Sequence, residues 1–80
     1  MKIKFTQSAR KHRIGKAHAL FVIAQYSPDI NIGEGQDGED QMIWIGKDDL
    51  GLELEITAIV LAEYSLVTHV MPTDLRKRRK

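Results

Sequence analysis

From Leu52 the chain reads Leu52-Glu53-Leu54-Glu55-Ile56-Thr57-Ala58, and on through Ile59 to Val60, exchanging apolar for polar residues at nearly every step. Only a β-strand, whose side chains alternate between two faces, converts that order into one buried and one solvated surface. The expected core row is Leu52, Leu54, Ile56, Ala58 and Val60, with Glu53, Glu55 and Thr57 outward. A half-solvated strand belongs in an antiparallel sheet, and its neighbours are at hand. Met42 to Gly46 reads as a strand centred on Trp44, joined through the glycine-containing turn Lys47-Asp48-Asp49-Leu50-Gly51. After a turn at Ala62-Glu63-Tyr64-Ser65, Leu66 to Met71 forms the last strand. On it, His69 is expected on the side of Val67 and Met71, with Thr68 and Val70 facing the other way. Pro72 stops that strand and Thr73 can cap a short basic helix.

The first part of the chain has a different grain. Residues 2–6 alternate around Ile3 and Phe5 and predict a short strand. Ser8 suits the N-cap of a brief helix from Ala9 to His12 or Arg13. Gly15 restarts the chain as a second helix to about Gln25, with one bent helix as the alternative. Its expected buried stripe is Ile14, Ala17, Leu20, Phe21 and Ala24, and His18 borders that stripe. In a continuous helix, His12 and Lys16 would stand one turn apart on one face. Pro28 ends the helix, because proline disfavours helical geometry at the residue before it. Asp29 to Gln41, with three glycines and five acids, is loop chemistry with room for a short strand at Ile30-Asn31-Ile32. Those acids lack the spacing of an EF-hand loop, and no metal site or cofactor is expected. The result is one α+β domain over residues 1–80, ending in a basic tail at 76–80. It runs as a short strand, two helices packed on one face of the sheet, and an antiparallel three-strand meander. A domain of this length buries only about 60% of its unfolded surface, so its core is thin.

Charge is segregated along the chain. Residues 1–28 hold six Lys or Arg and no acid, residues 29–74 hold eleven acids and one base, and the last five residues are all cationic. A small domain that brings its ends together therefore has one basic face, suited to nucleic acid, and one acidic face that repels it. The basic segment Arg10-Lys11-His12-Arg13-Ile14-Gly15-Lys16-Ala17-His18 sets two histidines among four cations. That mixture suits a phosphodiester, where an anion is held while a proton moves. There is no cysteine, which excludes disulfides and thiolate metal sites. The segment behind Met1 has no apolar run resembling a signal peptide, and no run approaches the ~20 apolar residues of a membrane span. A cytoplasmic protein without a membrane partner is expected.

The run Arg10-Lys11-His12-Arg13-Ile14, followed by an amphipathic helix, resembles the opening of BrnT-type toxins. These are small ribonucleases of bacterial type II toxin–antitoxin systems with a RelE/ParE-like fold. In that family a Lys-His-Gly-aliphatic motif precedes the helix, a meander follows, and an Arg-rich segment closes the chain. Lys11, His12 and Ile14 match the motif, with Arg13 in place of glycine, and Thr73 to Arg79 resembles the basic end. Two features depart from the pattern: the last strand carries His69 instead of an arginine, and Lys4-Phe5-Thr6 replaces a Trp-Asp opening. The resemblance implies a metal-independent endoribonuclease that inhibits translation. Its implied partners are RNA, the ribosome and a cognate antitoxin, a small DNA-binding protein encoded beside it. On that reading His12 and His69 are the base and acid, and Lys11 stabilises charge. RNA contacts fall to Lys4, Arg10, Arg13, Lys16, Arg76, Lys77, Arg78 and Arg79, while Trp44 or Tyr64 could stack on a base. The alternatives are a non-catalytic RNA- or ribosome-binding module using the same face, and an interaction domain whose acidic loop and strand edge bind a basic partner.

Overall fold

Three long strands, β3 (Gln41–Lys47), β4 (Glu53–Val60) and β5 (Ser65–Pro72), form an antiparallel meander in the computed structural model, which describes residues 2–77. The short strand β1 (Ile3–Phe5) adds in parallel to the outer edge of β5, and β2 (Asp29–Asn31) adds antiparallel to β3. The sheet is therefore mixed, in the order β1-β5-β4-β3-β2. A single 3-10 turn at Ser8–Arg10 and helix α1 (Lys16–Gln25) follow β1, and a short helix α2 (Thr73–Lys77) follows β5. This is a small α+β fold with one long and one short helix. No described helix is long and apolar enough to cross a membrane.

Alternation along β4 works as read for its centre. Leu54, Ile56 and Ala58 are fully buried and meet Trp44 and Met42 of β3 and Val67 and Val70 of β5. Leu52, in the turn before β4, and Val60, at the last position of the strand, are 40% and 39% exposed. Ala9 of the 3-10 turn and Ala19 and Val22 of α1 complete the same core.

Helix α1 buries a different stripe from the one its periodicity suggested. Ala19 and Val22 are fully buried and Ile23 is half-buried, whereas Leu20 and Phe21 are 39% and 38% exposed and Ala17 and Ala24 are exposed. Apolar residues occupy almost every position from Ala17 to Ala24, so helical spacing alone leaves two candidate faces. The contacts at the helix ends choose between them. At its C-terminal end the Tyr26 ring lies on Gly46, where a Cβ would come within 2.4 Å of a ring carbon. The Tyr26 hydroxyl accepts a hydrogen bond from the Lys47 amide at 3.1 Å.

At the other end His18 Nδ1 bonds Asp49 and lies 3.8 Å from the buried Asp48. Asp48 also organises the β3–β4 turn, its Oδ1 accepting from the amides of Leu50 and Leu52 at 2.9 Å each. Gly51 closes that turn at φ 85°, a conformation costly for any residue with a Cβ. The three side chains His18, Asp48 and Asp49 have the donor types of a metal-binding group, their atoms lying within 4.8 Å of one another. In this fold they fasten α1 to the turn.

The bond to Asp49, and then the charges of Asp49 and Asp48, raise the pKa of His18 above its ordinary 6.5, while the same bond lowers that of Asp49. A raised folded-state pKa means that the clamp's contribution is complete below the unfolded value and is lost as pH rises through the folded one. His18→Gln should therefore lower the thermal midpoint most at about pH 5.5, with the gap to wild type narrowing by about pH 9. Thermal melts of both proteins across that range test this; a gap independent of pH would remove the charge from the explanation.

Candidate functional site

Where β1 ends, β5 continues. The parallel pairing runs from Ile3↔Ser65 to Phe5↔Val67, and the Thr6 amide makes a last bond to the Val67 carbonyl at 3.0 Å. Beyond it, no described strand lines the outer edge of β5. That stretch also contains a β-bulge. Thr57 pairs with His69, yet Ala58 pairs with Val67, so Thr68 is an extra residue on β5. A bulge reverses the alternation on either side of it. Val67 and Val70 both enter the core, and His69 does not share a face with Val67 as strict alternation required. His69 stands beside Thr57, and Met71 beside Glu55, on the face away from the core.

The 3-10 turn fills the place that β1 vacates. Thr6 Oγ1 accepts from the Ala9 amide at 3.1 Å and starts the turn, and Ala9 anchors it in the core. Lys11 and His12 then face the edge of β5. Together Ser8, Lys11, His12, Thr68, His69, Met71 and Leu75 line a cleft of about 480 Å³, with no carboxylate among them. Clefts that hold small ligands span roughly 300–1,000 Å³. The three residues expected to carry chemistry, Lys11, His12 and His69, thus converge although 57 positions separate the two histidines. Sequence reasoning missed Ser8, Thr68, Met71 and Leu75. Ser8 comes with the 3-10 turn, Thr68 and Met71 with the bulge in β5, and Leu75 with α2; the bulge leaves no local signal.

A second basic cleft, of about 470 Å³, is lined by Arg10, Arg13, Ile14, Gly15 and Lys16. The expected pairing of His12 with Lys16 on one helical face does not occur, because the helix is not continuous. Arg13 adopts φ 59° and Gly15 is extended, so the chain is redirected between the 3-10 turn and α1. Lys16 instead joins Arg10 and Arg13, with its ammonium 5.7 Å from the centre of the Phe5 ring. The two clefts draw on different residues of the segment from Ser8 to Lys16 and have no lining residue in common.

Lys4 is outside both clefts, with its ammonium 4.5 Å from the centre of the Tyr64 ring. Trp44 is 2% exposed in the core, so of the two aromatic residues considered for base stacking it is unavailable. The side chains of Arg76 and Lys77, and residues Arg78, Arg79 and Lys80, lie outside the described residues. Chemically, the cleft offers two imidazoles for proton transfer and a lysine for charge, beside a surface of cations suited to consecutive phosphates. Compared with protein-family models, curated proteins and solved structures, the chain matches none.

Arg13 combines a cation of the basic surface with a left-handed backbone, at the position where the resembled motif has glycine. Left-handed geometry costs a residue with a Cβ about 1–2 kcal/mol, offset in a glycine variant by about 0.5–1 kcal/mol of unfolded-chain entropy. Arg13→Gly should therefore be more stable than Arg13→Ala by up to about 1 kcal/mol in urea denaturation. Equal stabilities would show that the turn relaxes when the arginine is lost.

Proposed function

We propose that the protein is a toxin-like, metal-independent endoribonuclease, held inactive by a cognate antitoxin. The observation that carries this reading is the convergence of Lys11, His12 and His69 in one cleft beside the Arg10–Arg13–Lys16 surface. RNA is cleaved without a metal when a base removes the 2′-hydroxyl proton and O2′ attacks the adjacent phosphorus. The bond to O5′ breaks as an acid protonates it, leaving a 2′,3′-cyclic phosphate and a 5′-hydroxyl. His12 is assigned the base and His69 the acid, with Lys11 stabilising the charged phosphorane. Arg10, Arg13 and Lys16 hold neighbouring phosphates, and the tail from Arg76 adds long-range attraction. The Lys-His motif and the basic closing segment, which resemble BrnT-type toxins, support the same assignment.

A non-catalytic RNA-binding module would use the same cations without the histidines, and kinetics separates the two. In single-turnover cleavage of a labelled RNA in EDTA, His12→Ala should lose roughly 10²–10⁴-fold in rate, the usual contribution of one general base. His69→Ala should lose a comparable factor. Binding to an uncleavable 2′-deoxy analogue should change far less in both, whereas Lys11→Ala should weaken binding as well as cleavage. Wild-type protein that binds RNA but never cuts it, with or without ribosomes, would leave the binding module as the function.

A further inference from the structure

The opposite edge of the sheet has the reverse chemistry. β2 is the outermost strand, and no described strand pairs with its outer side. Ile30 shares a face with Met42 yet is 58% exposed, and Ile32, just beyond the strand, is 75% exposed. Around them lie Asp29, Glu34, Asp37, Glu39 and Asp40. Glu39 and Asp40 accept bonds from the amides of Asp37 and Gly33, and among the described residues no cation pairs with any of the five.

Exposed sheet edges are templates for another strand unless guarded, and lysine is a common guard. The β1 edge carries Lys2 and Lys4; the β2 edge carries no cation. What fits the β2 edge is a strand whose apolar residues continue the row of Ile30 and Ile32 while alternate cations meet the acids. We infer that the β2 edge and the acidic loop after it form a docking site for an extended, alternating basic–apolar segment of a partner protein, bound by strand addition. Nucleic acid is repelled by this face, so the inference stands independently of the ribonuclease reading.

The probe is a capped seven-residue peptide of alternating lysine and valine, titrated into the full ¹⁵N-labelled chain. Amide shifts are expected for residues 29–40 and for 41–43 of β3, and a glutamate–valine peptide should produce none. A version N-methylated at alternate residues keeps the charge but loses the ladder hydrogen bonds, and should bind at least about tenfold more weakly. The double variant Glu34→Lys, Asp37→Lys should bind the lysine–valine peptide more weakly by a similar factor while the protein retains its dispersed spectrum. Equal binding of the N-methylated peptide would reduce the contact to charge attraction and overturn strand addition. The inference also falls if shifts lie outside this edge, or if β2 instead pairs with a second copy.

Discussion

The extra residue Thr68 in β5 governs what the basic turn can face. With regular pairing, His69 would share a face with Val67 and enter the core. The bulge turns His69 and Met71 outward while keeping both Val67 and Val70 buried. A local departure of this kind preserves the apolar packing of a strand and re-aims a polar side chain next to it. Its position matters as much as its existence, because it falls just where β1 ends and the edge of β5 opens. The 3-10 turn, held by Ala9 in the core and by the Thr6 hydroxyl, can then bring Lys11 and His12 to that edge.

The basic surface depends in turn on how α1 is held. A ten-residue helix is marginal by itself in water, so its place comes from tertiary contacts. Two of those contacts, His18 on the β3–β4 turn and Tyr26 on Gly46 and Lys47, fasten its ends to one part of the sheet. Between them, small Ala19 allows close approach and Val22 fills the gap. This sets where Lys16 emerges, and with it the second cleft formed with Arg10 and Arg13.

Charge separation follows from topology. The cationic first segment supplies β1 and the 3-10 turn, which lie beside β5, and the start of α1, which packs on β3 and β4, while the acidic loop follows β2 at the far edge. The strand order thus places Lys2 and Lys4 of the β1 edge and the acids of residues 29–40 at opposite ends of the sheet.

The meander was legible in the sequence because each strand's period of two is a local property. The alternation from Leu52 to Ala58, the Gly51 turn and the stop at Pro72 need no partner to be read. The restart of α1 at Gly15, its end before Pro28 and the segregation of charge were legible for the same reason. Which face of α1 is buried was not, since apolar residues from Ala17 to Ala24 offer two faces and distant Asp49 and Gly46 decide between them. The side of β5 that carries His69 was likewise hidden, because a bulge depends on the register with β4 and not on any residue type at Thr68. The sequence determined that Lys11 and His12 lie amid positive charge and that His69 lies in the last strand; their meeting in one cleft was decided by strand register and by the point at which β1 stops.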